Sequence, residues 1–114
     1  MKPAEPPAST AGAPRSLRYL FFERSEDGLG MVSFDAVASV RPQRLAEVQA
    51  EADAVILWAR TTLLGPEGPL DEGGAWDHER IVTEEGDGWH SLALTLTGDA
   101  AFARLFEQAF PAQG

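Results

Sequence analysis

The chain has 114 residues, 44% of them apolar, no cysteine, and a net charge of −9 from 18 acidic and 9 basic side chains. That length supports one domain with a modest core, while the missing thiols exclude disulfides and thiolate metal sites. The acidic balance argues against phosphate backbones as ligands. No apolar run approaches a membrane span or the core of a secretory signal, so the expectation is a cytoplasmic protein that binds neither membrane nor nucleic acid.

Residues 1–16 hold four of the eight prolines, four alanines and no large apolar side chain after Met1. They can bury nothing that would offset the entropy of ordering, which predicts a disordered tail and an ordered domain over residues 17–111. The aromatic run from Leu17 to Glu23 places Leu20 and Phe22 on one face and Tyr19 and Phe21 on the other, as in a central strand. Ser25 to Gly30 is a turn. Val32, Phe34, Ala36, Ala38 and Val40 then share one face and predict a strand over 30–39. A short helix from near Phe34 is the alternative, because Phe34, Val37 and Val40 also fit helical spacing.

Pro42 suits a first helical turn. Leu45, Val48, Ala52, Val55, Ile56, Ala59 and Leu63 follow on one face, predicting a helix that runs to Leu64 and ends at Gly65–Pro66. Ala46, Ala50, Leu57 and Leu64 make a second, thinner apolar stripe that one core does not explain. Residues 65–75 have the glycine, proline and acid content of an exposed loop. They match neither a phosphate-binding loop nor the calcium-loop ligand spacing.

Residues 76–84 and 89–97 form a hairpin around Gly86, Asp87 and Gly88, with Gly88 in the left-handed conformation. That loop sets Glu84 opposite His90, Val82 opposite Leu92, Arg80 opposite Leu94 and His78 opposite Leu96; the alternative is a one-residue slip that pairs Ile81 with Leu92. Leu92, Leu94 and Leu96 line the buried face. Beyond Thr97 the period changes: Phe102, Leu105, Phe106 and Ala109 lie at helical spacing, Asp99 suits the helix N-terminus, and Pro111 marks the stop. The order ββαββα predicts an α+β two-layer sandwich, a four-stranded antiparallel sheet with two helices on one face.

No catalytic motif emerges: there is no cysteine nucleophile and no Gly-x-Ser-x-Gly turn. The cluster Asp71, Glu72, Asp77, His78 and Glu79, with His90, has the donors of a metal site. Strand alternation, however, puts His78 on the opposite face from Asp77 and Glu79, and the hairpin separates the two histidines by roughly 20 Å. Asp77 and Glu79 stay as metal candidates, with two solvated carboxylates the favoured account. His90 and Glu84 make a cross-strand pair.

If the helices cover one sheet face, the other carries Tyr19, Phe21, Met31, Val37, Ile81, Trp89 and Ala93, too apolar a set to stay wet. The expectation is therefore a small acidic protein-interaction module, without cofactor, binding a protein partner or forming a homodimer. Its expected partner-binding residues are Tyr19, Phe21, Ile81 and Trp89, then Leu57 and Leu64 on the outer helix stripe. The alternative is a metal-dependent hydrolase or small-ligand-binding protein using the acidic loop 67–79.

Overall fold

In the computed structural model, which describes residues 17–63 and 65–111, four strands build one antiparallel sheet: β1 (Glu23–Glu26), β2 (Val32–Val40), β3 (Trp76–Glu84) and β4 (His90–Gly98). Two helices, α1 (Pro42–Thr62) and α2 (Ala100–Ala109), complete the ββαββα order. The strands lie in the order β1-β2-β4-β3, so the two hairpins join through β2 and β4. The buried residues of both helices share one core with Val32, Phe34, Leu92, Leu94 and Leu96, which places both helices on the same sheet face. This is the two-layer α+β sandwich expected from the sequence. Among the described residues no helix is long and apolar enough to cross a membrane.

The second hairpin has the register that its loop dictates: Glu84 faces His90, Val82 faces Leu92, Arg80 faces Leu94 and His78 faces Leu96. Gly88 is left-handed (φ 81°), and Asp87 joins it (φ 63°), a conformation asparagine and aspartate tolerate better than other side chains. At the far end the chain passes from β4 into α2 across Gly98, where a Cβ would come within 2.5 Å of the Phe102 ring. Asp99 then caps α2, its carboxylate accepting the Phe102 N–H at 2.9 Å, which satisfies one of the helix's open donors. Phe106, fully buried, sits at the centre of the core, its ring 4.2–5.8 Å from those of Phe22, Phe34, Trp58, Phe102 and Phe110.

Residues 31–40 resolve in favour of the strand, because β2 pairs on both sides, with β1 and with β4. The first half of the chain departs from expectation at its start. Leu17–Phe22 is not a central strand; β1 begins only at Glu23 and forms a sheet edge four residues long. The reason lies on α1, where the Glu51 carboxylate accepts the backbone N–H groups of Arg18, Tyr19 and Leu20 at 2.8–3.0 Å. Donors held by a carboxylate are lost to a ladder, and Leu20 is buried in the core instead. α1 ends at Thr62, with Leu63 extended beyond it. Leu64 and the proline-rich stretch 1–16 lie outside the described residues.

Candidate interaction surface

Among the described residues, those expected to bind a partner come from different elements of the fold. Tyr19 leaves the sheet and donates its hydroxyl to Glu47 on α1. That bond pushes the Tyr19 phenol up from its ordinary range and, with Arg44, holds the Glu47 carboxyl below the usual one. Phe21 is exposed on the same irregular segment, and Leu57 is exposed on α1. Trp89 stands at the hairpin turn under Arg41, whose guanidinium lies 4.3 Å from the ring centroid and donates to the Asp87 carbonyl at 2.7 Å. Ile81 keeps its expected place on the open sheet face, in a row with Ala93 and Val37.

What the sequence reading missed is the edge itself. β3 is the last strand of the sheet, nine residues long and in unbroken register with β4. In an antiparallel ladder a residue points its N–H and C=O to the same side, and successive residues alternate. The Glu85 N–H donates inward to Trp89, whereas the Trp76 carbonyl accepts outward from Gly68. Odd-numbered residues of β3 therefore bond to β4, and even-numbered ones face away from it. Trp76 is met by the loop and the His78 N–H by the Asp77 carboxylate at 2.9 Å. Among the described residues, the outward backbone groups of Arg80, Val82 and Glu84 meet no partner. Beside them Ile81 on the open face is 50% exposed and Val82 on the helix-side face 42%. Val37, further along the Ile81 row, is 64% exposed.

The Arg80 side chain ties this edge to α1, donating to Gln49 at 3.0 Å and pairing with Asp53 at 2.8 Å. That flank of α1 carries a shallow groove lined by Pro42, Leu45, Ala46, Gln49, Ala50 and Asp53.

The acidic loop builds a second cluster at the other end of β3. Glu67, Asp77 and His78 bring ligand-type atoms within 4.8 Å of one another. Neighbouring strand residues point to opposite faces, but at the strand's first turn the loop folds Glu67 across to both. Glu79, paired in expectation with Asp77, is not part of this group; it shares with Asp77 a shallow hollow lined also by Leu70, His78, Thr95 and Thr97. Arg60 already grips Glu67 with Nε at 2.8 Å and Nη2 at 3.4 Å. This grip, helped by the nearby His78, holds the Glu67 carboxyl below the usual carboxylate range. His78 Nδ1 lies 2.7 Å from Glu67 Oε2, off the line of a directed hydrogen bond. The cluster reads as an ion-pair clasp between loop, helix end and strand, with its carboxylate occupied by arginine. His90 stands opposite Glu84 in register, at the far end of the hairpin from His78, and its buried Nδ1 has no hydrogen-bond partner among the described residues.

Comparison with protein-family models, with curated proteins and with solved structures gives no match for this chain.

Proposed function

We propose that this protein is a non-catalytic interaction module that binds another protein through the Ile81–Val82 stretch of β3, with a second copy of itself as the simplest partner. One observation carries the reading: an edge strand with open backbone groups presents exposed apolar side chains on both of its faces at adjacent positions. Such an edge is a template for another strand, and proteins that stay monomeric blunt it with charges, proline, bulges, extreme shortness or a covering loop. β3 has no proline, lysine or bulge and is not short; the loop covers only its Trp76 end, and its charges leave the Ile81–Val82 stretch apolar.

The competing reading, a metal-dependent hydrolase or small-ligand protein, draws on the Glu67–Asp77–His78 group. Arg60 counts against it, because a cation entering there must displace a bidentate guanidinium or share Glu67 with it.

Native mass spectrometry of the full chain, isolated gently from its source cells, separates the two. A bare dimer, or a complex with a second polypeptide, that is lost in Ile81→Asp while circular dichroism stays unchanged is the expected result. A monomer carrying a divalent ion, and losing it in Asp77→Ala, would overturn the interaction reading.

A further inference from the structure

Resting on the interaction reading above, we infer that the partner is a second copy of this chain and that the two β3 strands pair antiparallel about a two-fold axis through Val82. The three outward residues fix the register. Arg80, Val82 and Glu84 are evenly spaced, and turning the strand about Val82 lays Arg80 of one copy against Glu84 of the other, Val82 against itself, and Glu84 against Arg80. Each facing pair of this kind exchanges two backbone hydrogen bonds. Every open group of the three residues is thereby satisfied, and the occupied residues Trp76 and His78 are left outside the pairing.

The side chains on the helix side agree with the backbone. Opposite charges meet there twice, at Arg80 and Glu84, and directly opposed unlike charges on a sheet are favourable; on the open face Glu79 meets Glu85 twice, a like-charge pair that weakens the pairing at low salt. Arg80 spends two contacts on Gln49 and Asp53, and a guanidinium has five donors. A turn about Arg80 instead would set two arginines face to face. On the open face, Ile81 meets Thr83 of the second copy, a pair of β-branched side chains. On the helix side, the α1 flank bearing Ala46 and Ala50 stands over the same edge, since Arg80 reaches α1 at Gln49 and Asp53. Small residues there leave room for the second α1, so the exposed alanines of the outer stripe acquire a role. The result is an eight-stranded continuous sheet with four helices on one face.

The chain has no cysteine, which makes single-thiol cross-linking clean. Val82→Cys changes a half-exposed side chain and leaves the β4 ladder intact. In this register the two introduced thiols sit on facing residues whose Cα atoms are about 5.5 Å apart, within disulfide reach. Glu79→Cys is the control, because its two copies stand about 20 Å apart. The expected result is a disulfide-linked dimer of Val82→Cys under mild oxidation, formed at least about tenfold faster than that of Glu79→Cys.

Charge exchange supplies an independent arm. Arg80→Glu and Glu84→Arg each oppose like charges and should weaken self-association by about tenfold or more, whereas an equimolar mixture of the two restores opposite charges at both positions and should sediment as a heterodimer. A purely structural role for either residue would give no rescue on mixing. If the wild-type chain is a dimer but Val82→Cys links no faster than the control and mixing rescues nothing, the two-fold β3 pairing is wrong and the interaction reading stands. If the wild-type chain sediments as a monomer without partner at every concentration, both fall.

Discussion

The two edges of this sheet differ in how they are closed. On the β1 side the strand is four residues long and every side chain on it is exposed. Its Arg24 pairs with Glu26 on the same edge and with Glu107 of α2, at 2.7 and 2.8 Å. Since the Asp27 N–H bonds across to Met31, the outward residues of β1 are Arg24 and Glu26. Beyond the end of β1, the backbone of Val37 and Ser39 in β2 faces the same way. On the β3 side the strand is nine residues long, Arg80 and Glu84 are spaced to complement a reversed copy of themselves, and an apolar pair sits among them. A short, stepped edge resists strand addition; a long, unbroken one with open backbone groups and exposed apolar side chains invites it.

The sharpest way to erase this difference is to remove what both edges share. Phe106 stacks among five other aromatic rings in the common core. Phe106→Ala should cost about 3–5 kcal/mol, read as a lower urea midpoint, with both edges losing protection together. Glu51→Ala acts on one side only. It frees three backbone donors of the segment leading into β1 and should cost about 2 kcal/mol, with the amides of residues 18–20 exchanging faster and those of β3 unchanged.

Acid should act through Glu67 in the loop before β3 and Glu47 beside Tyr19. Both carboxyls are held below their ordinary range, so the folded state keeps them ionised where the unfolded chain takes up protons. Their contribution is present at neutral pH and is lost as pH falls through and below the usual glutamate value of about 4.3. The melting temperature of the wild-type chain should therefore drop more steeply in that window than that of Glu67→Gln. Equal slopes would mean that the Arg60–Glu67–His78 clasp adds nothing.

Much of the architecture was legible because it follows from local pattern. The leucines of β4 and the Gly-Asp-Gly loop specify the second hairpin down to its register, and Asp99 and Pro111 bracket α2 closely. The start of the fold was not legible. Leu17–Phe22 has the alternation of a strand, and only the distant Glu51, brought alongside by α1, withdraws its donors from a ladder. Tyr19 and Phe21 therefore lie outside the strands that were expected to carry them. Trp58 went unassigned because it lies on the flank of α1 that turns toward Phe106 and Phe110, away from the main apolar stripe. Glu67 was missed as a neighbour of His78 because a loop's path across a strand end leaves no periodicity. The open edge of β3 depends on strand order, which pattern within each strand does not carry.

Amide hydrogen exchange by NMR, followed as the protein concentration is raised, tests the central claim most directly. In β3 the N–H groups of Ile81 and Thr83 bond within the chain and should be protected at every concentration. Those of Arg80, Val82 and Glu84 should exchange quickly in dilute solution and become protected as copies associate, while Arg24 and Glu26 on the β1 edge stay fast throughout. Persistent fast exchange at Arg80, Val82 and Glu84 in a sample that sedimentation shows to be dimeric would contradict the account.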